Sequence, residues 1–190
     1  MADRDIVEVL FSEAQIQARV QELGAAISQD YEGRTPHLVG VLRGVVPFMA
    51  DLVRAISIPL TLDFIAISRY GPSTRTRGVV RFIKDLDEPI AGRDVLFVED
   101  VMDTGLTLNY ILHTLRRRYP VSLQVCILFD RTVRRLVNDL SIAYKGFDLP
   151  DQFVVGYGLD YRQHYRNLPY VGILDPSVYL SDQGKWHLTG

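Results

Sequence analysis

Cysteine and tryptophan are nearly absent from this chain, which has one of each among 190 residues. The single cysteine, Cys126, has no partner for a disulfide within the chain, which is typical of a reducing compartment. Because Cys126 lies in the apolar run 123–129, we interpret it as a small buried hydrophobe rather than a nucleophile. The four histidines are scattered, and no Cys/His pattern indicates a zinc site.

The chain also lacks an excess of either charge and any long apolar segment. Lysine and arginine number 21 against 23 acidic residues, a net charge of −2. This balance argues against a protein whose main surface binds nucleic-acid backbones, although a local basic patch remains compatible with it. No run approaches the roughly 18 apolar residues of a membrane span, and residues 1–5 carry no apolar signal segment. We therefore expect a cytoplasmic protein without a membrane partner.

Apolar runs of strand length alternate along the chain with segments of helical period. Ser12 and Gln15 have the spacing of a capping box, and apolar residues at steps of three or four follow from Ile16 to Tyr31. The pattern predicts strands at 6–11, 37–42, 59–67, 94–99 and 123–129, and helices from the Ser12 cap to about residue 31, at 44–56 and at 104–118. Uninterrupted apolar strands are buried on both faces, which predicts an α/β fold with a mostly parallel central sheet flanked by helices.

Two segments do not fit this alternation. Residues 68–78 are polar and contain two glycines and a proline. They predict a loop, which either covers a site or is a simple hairpin connection. The segment from residue 175 onward is predicted to be weakly structured.

Residues 99–107, EDVMDTGLT, combine carboxylates, threonine hydroxyls and a glycine where a predicted strand leads into a helix. Ligands of open α/β sheets bind at this end of the strands, and the backbone N–H groups of such a turn bind anions. The segment lacks the lysine of a P-loop and the glycines of a dinucleotide fingerprint. Helix capping would explain Asp103 or Thr104, but not Glu99 and Asp100 at the end of an apolar strand. The pattern predicts a phosphate monoester site whose carboxylates bind sugar hydroxyls, a divalent metal, or both.

The same residues resemble a known motif. VEDVMDTGLT, residues 98–107, is similar to the phosphoribosyl-pyrophosphate (PRPP) motif of type I phosphoribosyltransferases, and its EDxxDTG form resembles the hypoxanthine-guanine branch. VLRG at 41–44 resembles the pyrophosphate loop of the family. FVVGYGLDY at 153–161, followed by RNLP at 166–169, resembles the purine-binding segment, and SRYG at 68–71 falls at the flexible lid.

The resemblance implies one phosphoribosyltransferase domain over residues 1–190, with its core at about 37–174 and a small hood formed by the terminal segments. It implies a purine-salvage enzyme that transfers the phosphoribosyl group of PRPP to hypoxanthine and/or guanine, giving IMP or GMP and pyrophosphate, with Mg²⁺. It also implies a homodimer or homotetramer and no nucleic-acid partner.

Residue roles follow from the same resemblance. Asp103 is expected to take the purine N7 proton as the catalytic base. PRPP and its phosphate are expected to contact Glu99, Asp100, Asp103, Thr104, Gly105, Leu106 and Thr107. Pyrophosphate is expected to contact Arg43, Gly44 and Arg166, and the purine Arg131, Phe153, Val154 and Asp160. The lid is expected at Ser68, Arg69 and Tyr70, and the metal ligands are expected to be Glu99, Asp100 and Asp160.

Three residues depart from the pattern of the family. Arg131 stands where a lysine usually donates to the purine O6, Arg69 where a lid serine is usual, and Val45 where a small residue is common. Arginine also donates to a 6-oxo group, but its bulk is expected to alter the preference among bases. Two alternatives remain: a xanthine-preferring transferase, and an RNA-binding pyrimidine-operon regulator of the same fold. Residues 129–131 resemble the corresponding segment of such regulators. The purine segment at 153–161 argues against the regulator.

Overall fold

A computed structural model of the chain describes residues 2–69, 80–137 and 139–180. Tyr70 and most of the predicted loop at 68–78 lie outside these ranges. No helix within them is both long enough and apolar enough to cross a lipid bilayer.

The elements follow one another in the alternation that the sequence predicts. After a 3₁₀ turn at Ala2–Asp5 they are β1 (Ile6–Phe11), α1 (Glu13–Asp30), β2 (His37–Leu42), α2 (Val46–Ala55), β3 (Thr61–Arg69), β4 (Val80–Lys84), β5 (Asp94–Met102), α3 (Leu106–Arg116), β6 (Ser122–Asp130), β7 (Tyr144–Asp148), β8 (Val154–Val155), β9 (Val171–Leu174) and α4 (Pro176–Leu180). A second 3₁₀ turn, Thr132–Arg134, follows β6.

The main sheet confirms the predicted α/β fold. Its six strands lie in the order β4-β3-β2-β5-β6-β7, and only β4 is antiparallel to its neighbour. One face packs against α1 and α2, and the other against α3. Buried strands covered on both faces explain the uninterrupted apolar runs.

Helix α1 begins at the predicted capping box. The Ser12 side chain accepts a hydrogen bond from the Gln15 N–H, and the Gln15 side chain accepts one from the Ser12 N–H. These reciprocal bonds satisfy N–H groups that a helix start otherwise leaves unpaired.

A second sheet forms the hood over the carboxyl end of the main sheet. It has three strands in the order β1-β9-β8, all antiparallel, so the first strand of the chain pairs with one of the last. The Tyr165 hydroxyl donates to Asp5 Oδ2 at 2.8 Å, and the Asp175 N–H donates to the Asp5 carbonyl at 2.8 Å. The hood of terminal segments implied by the resemblance is therefore present.

Several element bounds differ from the sequence prediction by one to three residues, and three differences bear on the site or the chain end. Strand β5 continues to Met102, so Asp100 lies within the strand, as Glu99 does, rather than after it. Helix α3 begins at Leu106 instead of residue 104, because Gly105 adopts a left-handed φ of 79° that a helix does not contain. The short helix α4 lies in a segment predicted to be weakly structured, so that prediction was wrong for Pro176–Leu180.

Candidate active site

A cleft of about 410 Å³ opens at the carboxyl ends of β2, β5 and β6, beneath the hood. This is the edge of a parallel sheet at which α/β proteins bind ligands. The predicted site residues that line the cleft are Gly44, Glu99, Asp100, Asp103, Thr104, Gly105, Thr107, Arg131, Phe153, Val154, Asp160 and Arg166. The structure thus gathers residues from distant parts of the chain into one cavity.

The turn between β5 and α3 forms one wall of this cleft. Gly105 reverses the backbone, and the Leu106 N–H donates to Thr104 Oγ1 at 3.4 Å. The first N–H groups of a helix have no acceptor within the helix, so this end of α3 offers backbone donors and a positive dipole to an anion. The Leu106 side chain is exposed and does not line the cleft, which leaves only its backbone to contribute to the site.

Asp100 is almost completely buried at the floor of the cleft. Burial raises the pKa of its carboxyl to about 6, although the Val101 N–H donates to Oδ1 at 2.9 Å and opposes the rise. The Arg166 charge lowers this pKa and the Asp160 charge raises it. Gly44 approaches the carboxylate so closely that a Cβ there would overlap Asp100 Oδ2. This close approach explains why a glycine follows Arg43.

The two predicted pyrophosphate arginines meet at one glutamine. Arg166 pairs with Asp160 at 2.7 Å and donates to the Gly158 carbonyl at 2.5 Å. Its Nη2 also donates to Gln163 Oε1 at 3.1 Å, and Arg43 Nη1 donates to the same oxygen at 3.4 Å. Arg43 follows a cis peptide bond and lies beside the cleft rather than in its lining.

Asp103 and Arg131 face each other at the end of the cleft where the purine is predicted to bind, called the purine end below. Arg131 Nη1 lies 3.7 Å from Asp103 Oδ1, and Arg131 Nη2 donates to the Gln152 carbonyl at 3.1 Å. Burial lowers the pKa of the Arg131 guanidinium, which the Asp103 carboxylate opposes. Arg134 Nη1 lies 4.0 Å from Asp103 Oδ2, and its Nε binds Asp151. The candidate base therefore has a guanidinium at each carboxylate oxygen.

A buried ion pair anchors the turn that carries these arginines. Asp130 is fully buried, and its carboxylate binds Arg135 through two contacts, of 3.2 Å and 2.5 Å. The Arg131 N–H donates to the Met102 carbonyl at 2.9 Å, and the Leu136 N–H to the Thr104 carbonyl at 2.9 Å. These bonds hold the turn against the end of β5.

Phe153 lies between two tyrosines at the entrance to the purine end. Its ring stacks on Tyr179 of α4 at 5.2 Å and meets the edge of Tyr161 at 5.7 Å. Val154, the next residue, is buried in β8. Sequence reasoning did not single out Gln163, Arg134 or Tyr179, because each acts through a partner that no local motif connects to it.

The carboxylates of the cleft fit a hard cation that also binds phosphate. No group of three or more His, Cys, Asp or Glu side chains in the described ranges forms a metal cage of protein groups alone. Mg²⁺ is commonly held by one or two carboxylates together with substrate phosphates, and Glu99, Asp100 and Asp160 line the same cavity. Their oxygen chemistry therefore suits Mg²⁺ brought with a phosphorylated substrate.

Comparisons with known proteins agree with this geometry. Residues 8–162 match the phosphoribosyl transferase domain. The chain is 48% identical over 181 residues to the hypoxanthine-guanine phosphoribosyltransferase of Bacillus subtilis, covering 95% of this chain and 100% of the relative. It is 51% identical over 181 residues to that of Mycobacterium avium, covering 92% and 89% of the two chains.

The fold has close counterparts among solved structures. A crystal structure of a hypoxanthine phosphoribosyltransferase from Staphylococcus aureus superimposes with a TM-score of 0.89 at 45% identity, covering 94% of this chain and 96% of that one. Fold, cleft and sequence identity agree, and the chain belongs to the phosphoribosyltransferase family, in its hypoxanthine-guanine branch.

Proposed function

We propose that this chain transfers the phosphoribosyl group of PRPP to N9 of hypoxanthine and/or guanine in purine salvage. In this reaction the bond from C1′ to pyrophosphate breaks, the bond from C1′ to N9 forms, and the purine loses its N7 proton. The observation that carries the proposal is the juxtaposition of Asp103 and Arg131 in the cleft that contains the phosphate turn.

The Asp103 and Arg131 pair matches one edge of a 6-oxopurine. Asp103 Oδ1 and Arg131 Nε are buried and have no hydrogen-bond partner among the described residues. A 6-oxopurine carries a donor, N7–H, beside an acceptor, O6. A base that donates to Asp103 and accepts from Arg131 would satisfy both groups, and Asp103 would then take the proton as N9 attacks.

The remaining residues suit the other parts of the substrates. The turn at 103–107 holds the 5′-phosphate, Glu99 and Asp100 hold the ribose hydroxyls, and Arg43, Gly44 and Arg166 hold pyrophosphate. Phe153 stacks on the purine while the Val154 backbone meets its Watson–Crick edge. Bound Mg²⁺, held by Glu99, Asp100 and Asp160, would neutralise charge on the departing pyrophosphate.

We further propose a single domain over residues 1–190 in a cytoplasmic homodimer or homotetramer. Exposed apolar side chains on α2, β3 and β4, namely Val46, Leu62 and Ile83, support an assembly. Light scattering that finds only a 21.6 kDa species would contradict it. Ser68, Arg69 and Tyr70 are proposed to close over the site as a lid, since Ser68 follows Ile67 of the cleft lining.

A steady-state assay tests the proposed reaction. Purified protein is given PRPP, Mg²⁺ and, in parallel, hypoxanthine, guanine, xanthine and uracil, and pyrophosphate release is measured. We expect turnover of hypoxanthine or guanine. Turnover of xanthine alone would support the xanthine-preferring alternative, and turnover of uracil alone or of no base would overturn the proposal.

Arg131→Lys sharpens the same assay at the base pocket. Lysine still donates to O6 but has no planar fork, and it cannot hold the Gln152 carbonyl and the base in the same way. We expect the ratios of kcat/KM among the purines to shift by about three- to tenfold while KM for PRPP is preserved. Equal changes in kcat/KM for all bases would show that Arg131 does not take part in base selection.

A further inference from the structure

Gln163 contacts both arginines of the proposed pyrophosphate subsite and the proposed metal ligand Asp160. Its Oε1 accepts from Arg43 at 3.4 Å and from Arg166 at 3.1 Å, and its backbone N–H donates to Asp160 Oδ2 at 2.8 Å. Arg43 is 120 residues away in the sequence, so this contact joins the loop after β2 to the hood. No other described contact links the two arginines through one atom.

The backbone around Gln163 is built to place this side chain. Gln163 has a left-handed φ of 68°, which is uncommon for residues other than glycine. Tyr161 and His164 close the turn by exchanging hydrogen bonds of 3.3 and 3.0 Å between their backbones. A tight turn in a disfavoured conformation directs the amide toward the two guanidinium groups.

The shared acceptor, Gln163 Oε1, lies between two positively charged side chains. Two guanidinium groups that converge on one subsite repel each other. An oxygen that accepts from both offsets this repulsion and restricts both long side chains. Phosphate oxygens form stronger, charge-assisted bonds to arginine than an amide oxygen does, so a diphosphate group displaces the amide.

We propose that Gln163 is a positioning residue that holds Arg43 and Arg166 together, ready for the diphosphate group of PRPP or for free pyrophosphate. The proposal rests on the proposed pyrophosphate role of these arginines. Gln163 touches neither the purine nor the ribose in this arrangement. Its loss should weaken diphosphate binding and leave base binding alone.

Gln163→Asn is the most informative variant. Asparagine tolerates the left-handed conformation but is one methylene shorter, so the turn is kept and the reach is lost. We expect KM for PRPP and Kd for magnesium pyrophosphate, measured by calorimetry, to rise about three- to tenfold, with kcat and KM for hypoxanthine within about twofold of wild type. Gln163→Gly, which also keeps the turn, should behave in the same way.

A double-variant test separates positioning from a structural role. If Gln163 acts through Arg43, the substitution Gln163→Asn should raise Kd for magnesium pyrophosphate much less in the Arg43→Ala variant than in the wild type. Unchanged constants in Gln163→Asn, an equal rise in KM for hypoxanthine, or full additivity with Arg43→Ala would overturn the proposal. A wild type that binds pyrophosphate but does not turn over PRPP would refute the proposed function and leave this inference intact.

Discussion

The two ends of the cleft are assembled in different ways. The end proposed to bind ribose and phosphate, the ribose-phosphate end, comes from one continuous segment, the end of β5 and the start of α3, packed into the main sheet. The proposed purine end is drawn from the turn after β6, from β8 and from α4, joined by ion pairs and ring contacts. The first is held by the backbone of the main sheet, whereas the second depends in addition on contacts between side chains distant in the sequence.

This difference indicates which properties each end controls. A site built on sheet backbone is rigid, because many ladder hydrogen bonds oppose its movement. A site held by side chains changes with single substitutions and can be tuned without disturbing the sheet. We therefore expect substitutions at the ribose-phosphate end to affect the rate or PRPP binding, and those at the purine end to affect base binding.

Asp103 is the point where the two ends meet, and its substitution should have the largest effect. Asp103→Asn keeps the shape of the side chain but accepts no proton, so kcat should fall by about 10²- to 10⁴-fold. KM for PRPP should change by less than about threefold. Steady-state kinetics in both substrates measure this split.

Asp151→Asn is the matched control for that variant. It removes the other carboxylate that binds Arg134 and leaves the candidate base in place. We expect kcat within about twofold of wild type. A similar loss of rate in both variants would show that the arginine network, and not proton transfer, sets the rate.

Gly44→Ala tests the rigid end. The new Cβ would overlap Asp100 Oδ2, so the carboxylate or the loop must move. A displacement of this size should lower kcat/KM for PRPP by about 10²-fold. Gly33→Asn is the control, because a Cβ at Gly33 would meet nothing within 4 Å and asparagine tolerates its φ of 74°. An unchanged kcat/KM for PRPP in Gly44→Ala would show that this end of the cleft accommodates a new Cβ and is not rigid.

Tyr179→Ala tests the end held by side chains. Removing the ring that stacks on Phe153 should raise KM for hypoxanthine by about two- to tenfold and leave KM for PRPP unchanged. Tyr179→Phe keeps the ring and should match the wild type. A larger effect on PRPP than on the base would contradict the division between the two ends.

Asp63 lies outside both ends, and its substitution should change stability alone. Burial raises the pKa of this carboxyl, but the N–H groups of Asp87 and Phe64 and the Lys84 ammonium outweigh burial, and its pKa is lowered. A pKa below that of the unfolded chain adds stability at neutral pH, which is lost as the pH falls through the folded-state pKa. Asp63→Asn should lower the free energy of unfolding at pH 7 by about 1–2 kcal/mol and flatten its acid dependence.

Urea unfolding between pH 7 and about pH 3 measures this effect. Both KM values should match the wild type at pH 7, since Asp63 joins β3 to β4 away from the cleft. A variant with unchanged stability would mean that the Lys84 pair adds nothing to folding.

The same contrast explains what the sequence could predict. The four central strands of the main sheet, β2, β3, β5 and β6, and the capping box at Ser12 were predictable, because burial on both faces and helix starts leave local patterns. The edge strands β4 and β7 were not predicted. Residues 99–107 were predicted as a phosphate site from a local pattern too, and all of them except Leu106 line the cleft. The positions of β8 and β9 were not, since strands of two and four residues carry too little periodicity.

Individual contacts between distant residues were not predicted, although the resemblance assigned distant residues to one site. Gln163 and Arg43 are separated by 120 residues, and their meeting depends on how the hood docks on the main sheet. Tyr179 was missed because a short helix near the end of the described chain showed no amphipathic stripe. Groups that are close in the sequence can be predicted from it, whereas a side-chain contact that depends on tertiary packing cannot.

The pairing of β1 with β9 has a consequence for the newly made protein. In the described part of the chain β1 pairs with β9 alone, so β1 can be paired only after residues 171–174 have been translated. The ribose-phosphate end can form once β6 has been translated, because its strands are already adjacent. The hood, with Asp160 and Arg166, follows last. In a nascent chain all the residues of the proposed phosphate turn are therefore present before the strands β8 and β9 that complete the hood.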